Sequence, residues 1–106
     1  MKKNSLVLLV DDIPQNIQVL GAILKDQGYS FALTTSGKET YKLLEKVTPD
    51  IILLDVMLPD ENGFSICENL KKNEVTADIP VLFLTAKNDT SDKVQGFKVG
   101  AVDYIT

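Results

Sequence analysis

Residues 51–63 read Ile-Ile-Leu-Leu-Asp-Val-Met-Leu-Pro-Asp-Glu-Asn-Gly. The first four are apolar without a break. An alternating pattern would mark a strand wetted on one face, whereas a short continuous run marks one buried on both faces, as in parallel sheets covered by helices. The run stops at Asp55. An acid is costly at the end of an apolar strand unless the protein uses it there.

The same design recurs on either side. Ser5–Val10 is a continuous run closed by Asp11-Asp12, and Val81–Leu84 is another, closed by Thr85. Phe31–Thr34 and Val102–Ile105 complete five strand candidates. Helical spacing fills the gaps. Ile13, Ile17, Leu20 and Leu24 form one stripe that ends near Gly28, a C-terminal cap. Ser36 and Glu39 suggest a capping box for a second helix with Tyr41, Leu44 and Val47 inward. Asn62 can cap a third helix with Phe64, Cys67 and Leu70 inward, and Asp89 or Thr90 a fourth with Val94 and Phe97 inward. Strand and helix alternate four times before a last strand, which predicts an open parallel α/β sheet.

At 106 residues the chain is one domain, because two cores would need roughly 200. It contains no histidine, which removes imidazole bases, triads and imidazole metal ligands. Cys67 is the only cysteine, so neither a disulfide framework nor a cysteine zinc site can form within the chain. The net charge is −4 and all 11 basic residues are lysines, a poor match to a nucleic-acid surface. Met1-Lys2-Lys3 followed by Leu6–Val10 faintly imitates a signal peptide, but Asp11-Asp12 cut the apolar run short. No stretch approaches the roughly 20 apolar residues of a membrane span. A cytoplasmic protein is expected, with no membrane contact.

In open α/β sheets ligands bind beyond the carboxyl ends of the strands. Asp11, Asp12, Asp55 and Thr85 occupy those ends, so three carboxylates converge if the first and third strands are neighbours. Like charges held together raise one another's pKa. A hard cation relieves the conflict, and an all-oxygen set suits Mg²⁺ rather than zinc. A carboxylate beside Mg²⁺ can attack a phosphoryl group and form an aspartyl-phosphate. Taken singly, Asp12 would serve as the N-cap before Ile13-Pro14, Asp55 as a turn residue, and Lys71-Lys72 as a solvated helix end.

Asp11-Asp12, the segment Asp55–Gly63, Thr85-Ala86 and Gly100–Thr106 together resemble the receiver domain of two-component response regulators, over essentially the whole chain. The resemblance implies a flavodoxin-like five-stranded sheet in the order 2-1-3-4-5, helices on both faces, and a single receiver domain over residues 1–106. It implies a phosphorylation-controlled signalling switch rather than a turnover enzyme, its only chemistry being self-phosphorylation and autodephosphorylation. Asp55 would accept the phosphoryl group from a sensor histidine kinase or phosphotransfer protein. Asp12 would bind Mg²⁺ directly, Asp11 through a water, and the Met57 carbonyl would add a ligand. Thr85 would hydrogen-bond the phosphoryl group, Tyr104 would follow it as the switch aromatic, and Met57 and Lys87 would tune hydrolysis.

The family places a lysine directly after the position matching Thr106, then a fifth helix; this sequence ends before both. The expectation is therefore a receiver lacking its final helix, with an effector domain expected beyond Thr106. Apolar residues of strands three to five would then face water and favour an oligomer through that face. A phosphohydrolase would need a second aspartate where Met57 stands. A flavin-binding relative would need a phosphate loop where Asp11-Asp12-Ile13-Pro14 repels phosphate. An interaction module that has lost the switch is the remaining alternative.

Overall fold

The structure, a computed structural model, describes residues 5–84 in full and the backbone of 103–105. The fourth helix expected after Asp89 or Thr90 lies outside the described residues, as do Thr85, Lys87 and Thr106. Strand β1 (Leu6–Val10) is central because Val7 to Val10 are at most 1% exposed, which requires cover on both faces. It pairs in parallel with β2 (Ser30–Thr34) on one side and β3 (Ile51–Asp55) on the other. Beyond β3 come β4 (Val81–Leu84) and β5 (Asp103–Ile105), giving the order β2-β1-β3-β4-β5. The expected strand order is the observed one.

Three helices lie among the described residues: α1 (Pro14–Asp26), α2 (Gly37–Leu44) and α3 (Gly63–Lys72). The sheet separates two apolar clusters. On one face Leu8, Val10, Ile52, Leu54, Val81 and Phe83 pack with Leu44 of α2 and with Phe64, Ile66, Cys67 and Leu70 of α3. Phe64 meets Phe83 edge to face, with ring centroids 4.9 Å apart; such a pair contributes about 0.5–1.5 kcal/mol beyond its burial. On the other face Val7, Leu9, Leu53 and Leu84 pack against Leu20 and Leu24 of α1.

That second cluster corrects one expectation. Leu53 and Leu84 are 7% and 8% exposed, so these residues of β3 and β4 do not face water. The exposed apolar side chains sit elsewhere, at Val19 and Ile23 on α1 and at Phe31 and Leu33 on the edge strand β2.

Local signals fixed the helix ends with three exceptions. Gly28 takes φ 85° just beyond α1; its N–H reaches the Lys25 carbonyl at 3.1 Å, and the Tyr29 N–H reaches that of Leu24 at 3.0 Å. This is the Schellman closure that a glycine permits. Asn62 caps α3 through its side-chain oxygen, which accepts from the N–H groups of Phe64 and Ser65.

The first exception is Ile13. It is 44% exposed because Pro14 starts the helix and leaves Ile13 outside the periodic face. The second concerns α2. Ser36 accepts from the Glu39 N–H, but the Glu39 carboxylate turns to the N–H and hydroxyl of Thr35 instead of closing a box on Ser36. The helix then ends at Leu44, before Val47, and its fully buried polar position is Thr40. The Thr40 hydroxyl donates to the Ser36 carbonyl at 2.8 Å, so the 2.7 Å bond to Thr34 must be donated by Thr34. The third is Lys71, whose ammonium folds back onto the carbonyls of Ala77 and Ile79 instead of standing in solvent.

Candidate functional site

Parallel pairing of β1 with β3 brings their carboxyl ends together at the point where the strand order reverses. Asp11 follows β1 and is fully buried. Its N–H donates to the Thr34 carbonyl at 3.1 Å, which ties it to the end of β2. Its carboxylate has both oxygens engaged: Oδ1 accepts the Ile13 N–H at 2.9 Å and Oδ2 accepts the Asn16 amide at 3.0 Å. Asp12 is exposed and is not the helix cap, since Ile13 occupies that position. Asp55, the last residue of β3, is half-buried, and its Oδ1 accepts the Met57 N–H at 3.3 Å. One carboxylate oxygen from each of Asp11, Asp12 and Asp55 lies within 4.8 Å of the others.

Burial raises the Asp55 carboxyl from 3.8 to about 6; the charges of Asp11 and Asp12 push the same way, and the N–H groups of Met57 and Val56 partly oppose them. Among the described residues the only ion pair is Lys72 with Glu68, on the exposed surface of α3, so no lysine there neutralises the acidic set. An oxygen-only donor group with surplus negative charge suits a hard divalent cation.

The segment from Val56 to Asn62 forms one wall of the site and is held from two directions. The Gly63 N–H donates to the Val56 carbonyl at 2.8 Å. At the other end, Asp60 accepts the N–H groups of Gly37 and Lys38 at 2.8 and 3.0 Å, a carboxylate set on the N-terminus of α2. These bonds hold its carboxyl below the ordinary carboxylate value. Glu61 accepts from the Tyr41 hydroxyl, the Ser65 hydroxyl and the Asn69 amide, which links α2 to α3. Met57 is 76% exposed, with its side chain outside the core.

The sequence reading named Asp11, Asp12, Asp55 and Met57, and the fold assembles them. It assigned nothing to Asn16, Asp60 or Glu61. Asp60 lies 23 residues from its partner Gly37, so only the folded chain shows that contact. Asn16 lies five residues after Asp11, an amide in the first turn of a helix that the acid precedes. Tyr104 is in β5, opposite Phe83 in register, and its side chain is outside the described residues.

A family model described as the response regulator receiver domain matches residues 7–106. The chain belongs to that family. Receiver domains are phosphorylation-controlled signalling modules, and the flavodoxin-like sheet described above is theirs. The DNA-binding transcriptional regulator RpaA of Synechocystis is 42% identical over 100 residues, which are 94% of this chain and 42% of that protein. The chain thus spans less than half of that relative. A response regulator from Chloroflexus aurantiacus superposes with a TM-score of 0.93 at 35% identity, covering 97% of this chain and 84% of that one. The receiver domain of the sensor histidine kinase PA1611 of Pseudomonas aeruginosa, solved with magnesium coordinated in its active-site cleft, superposes with a TM-score of 0.88 at 30% identity, covering 97% and 84%. No helix among the described residues is long and apolar enough to cross a membrane.

Proposed function

We propose that this receiver domain, residues 1–106, takes a phosphoryl group onto Asp55 from the histidine of a sensor kinase or phosphotransfer protein, with Mg²⁺ as cofactor. The observation that carries this reading is the convergence of Asp11, Asp12 and Asp55 at the β1/β3 switch point, with the Asp55 carboxyl raised to about 6. At pH 7 that carboxyl is mostly ionised, so it is a nucleophile without needing a base.

Asp12 and Asp55 would hold the cation directly and Asp11 through a water, since both Asp11 oxygens already accept protein hydrogen bonds. The Met57 carbonyl would complete the protein ligands, its position set by the segment that Gly63 and Asp60 pin. When bound, Mg²⁺ supplies positive charge for the equatorial phosphoryl oxygens. An Asp55 carboxylate oxygen attacks phosphorus as the P–N bond to the donor imidazole breaks, and that nitrogen keeps the electron pair. Thr85 would hydrogen-bond the new phosphoryl group, Tyr104 would relay its presence, and Met57 and Lys87 would govern how fast water removes it. An effector domain beyond Thr106 would read the change.

Intact mass after incubation with Mg²⁺ and acetyl phosphate tests the reading. One added phosphoryl group is expected in the parent chain, none in Asp55→Asn, and none with excess chelator. Addition that persists in Asp55→Asn would place the acceptor elsewhere. No addition to the parent chain, despite measurable Mg²⁺ binding, would favour a module that keeps the fold without the switch.

A further inference from the structure

Asp11 is the one member of the acidic set that is fully buried, and each of its carboxylate oxygens has a separate donor. The Ile13 N–H belongs to the backbone and fixes Oδ1 alone. A carboxylate held at one oxygen can still swing about its last side-chain torsion, which is soft. The second donor, the Asn16 amide on Oδ2, removes that freedom and sets the plane of the group. Asn16 is exposed, in the first turn of α1, so its amide approaches from the solvent side of a buried acid. It is also neutral. A lysine in its place would fix Asp11 equally well but would cancel the charge that draws a cation.

We propose that Asn16 is a positioning residue for the cation of the acidic pocket, acting through Oδ2 of Asp11. The inference deepens the Mg²⁺ reading given above and rests on it. Donors behind a metal-binding carboxylate set its orientation, and their loss typically weakens metal binding by about 10–100-fold. Asn16 itself would touch neither the cation nor the phosphoryl group.

Calorimetric titration of the full chain with MgCl₂ alone tests this without any phosphoryl donor. Asn16→Ala should weaken Mg²⁺ binding about tenfold, near the lower bound because the Ile13 bond remains. Gln15→Ala, one residue earlier on the same turn, should bind like the parent. Without Mg²⁺, the melting temperature of Asn16→Ala should stay within about 2 °C of the parent, since an exposed residue in a helix is replaced by the best helix former.

Parent-like affinity in Asn16→Ala would overturn the proposal, and so would an equal loss in Gln15→Ala. A weakened affinity accompanied by a large fall in metal-free melting temperature would assign Asn16 a folding role and overturn it too. A parent chain that takes up no Mg²⁺ at all would instead remove the Mg²⁺ reading on which the inference stands.

Discussion

Gly63→Ala is expected to lower the melting temperature by roughly 12–20 °C and to cut phosphoryl uptake by Asp55 in the molecules that remain folded. Gly63 opens α3 directly over the end of β3. A methyl group there would overlap the Asp55 carbonyl oxygen and lie 3.0 Å from the Val56 Cα and 3.1 Å from the Asp55 carbonyl carbon. These are backbone atoms and cannot rotate away. β3 is paired on both sides, with Asp55 in register opposite Leu84, and the Gly63 N–H is bonded to Val56. The methyl must either lift α3, drawing Phe64 off Phe83, or displace the end of β3 that carries Asp55. Forced overpacking of this kind costs about 3 kcal/mol, and each kcal/mol moves the midpoint of a domain this small by about 4–8 °C. Thermal denaturation followed by circular dichroism measures the first effect, and intact mass after acetyl phosphate the second. A midpoint within about 1 °C of the parent would show that the close approach is dispensable.

Asp55→Asn, besides blocking phosphorylation, is expected to stabilise the metal-free protein above neutral pH. The Asp55 carboxyl titrates near 6 in the fold against 3.8 ordinarily, so the folded state binds this proton more tightly than the unfolded chain. The associated stability is fully present below about pH 4 and is lost as the pH rises through 6; at higher pH the fold carries a charge it opposes. The whole displacement would correspond to about 3 kcal/mol. Asp55 is only half-buried, and solvent screening reduces the gain to about 1–2 kcal/mol at pH 8. Urea denaturation with chelator at pH 8 should therefore favour Asp55→Asn by that amount, and the gap should close towards pH 4. Excess Mg²⁺ should narrow it at pH 8, since the cation relieves the charge as the proton does. Equal stability of the two proteins at pH 8 would mean that burial of Asp55 costs the fold nothing.

The parts of this architecture legible in the sequence are those where a short stretch determines its own surroundings. Four consecutive apolar residues before Asp55 can only be a strand covered on both sides, and the burial of Ile52 to Leu54 agrees. Gly28 and Asn62 end and begin helices through bonds to residues at most five positions away. The acids were legible because a carboxylate closing an apolar strand is costly to place.

What escaped the sequence depends on partners that folding brings together. Thr40 is buried because Thr34 and the Ser36 carbonyl satisfy its hydroxyl. Val47 falls outside α2 because its N–H closes a turn on Leu43 after the helix has ended. Lys71 leaves solvent for two carbonyls in the connection to β4. Asp60 is one acid among several until α2 places two N–H groups against it.

Cys67 gives the chain a built-in gauge of its own integrity. It is the only thiol, it is 0% exposed beneath α3, and burial raises its pKa further from the reactive thiolate. A thiol reagent can reach it only when α3 parts from the sheet, so the labelling rate counts excursions of the core rather than motions of the surface. Since the same helix begins at Gly63, against the backbone of Asp55, that clock runs on the element that frames the acidic pocket. A single chemical handle, native to the sequence, can thus time how firmly the pocket is held shut against unfolding, with or without a cation or phosphoryl group in place.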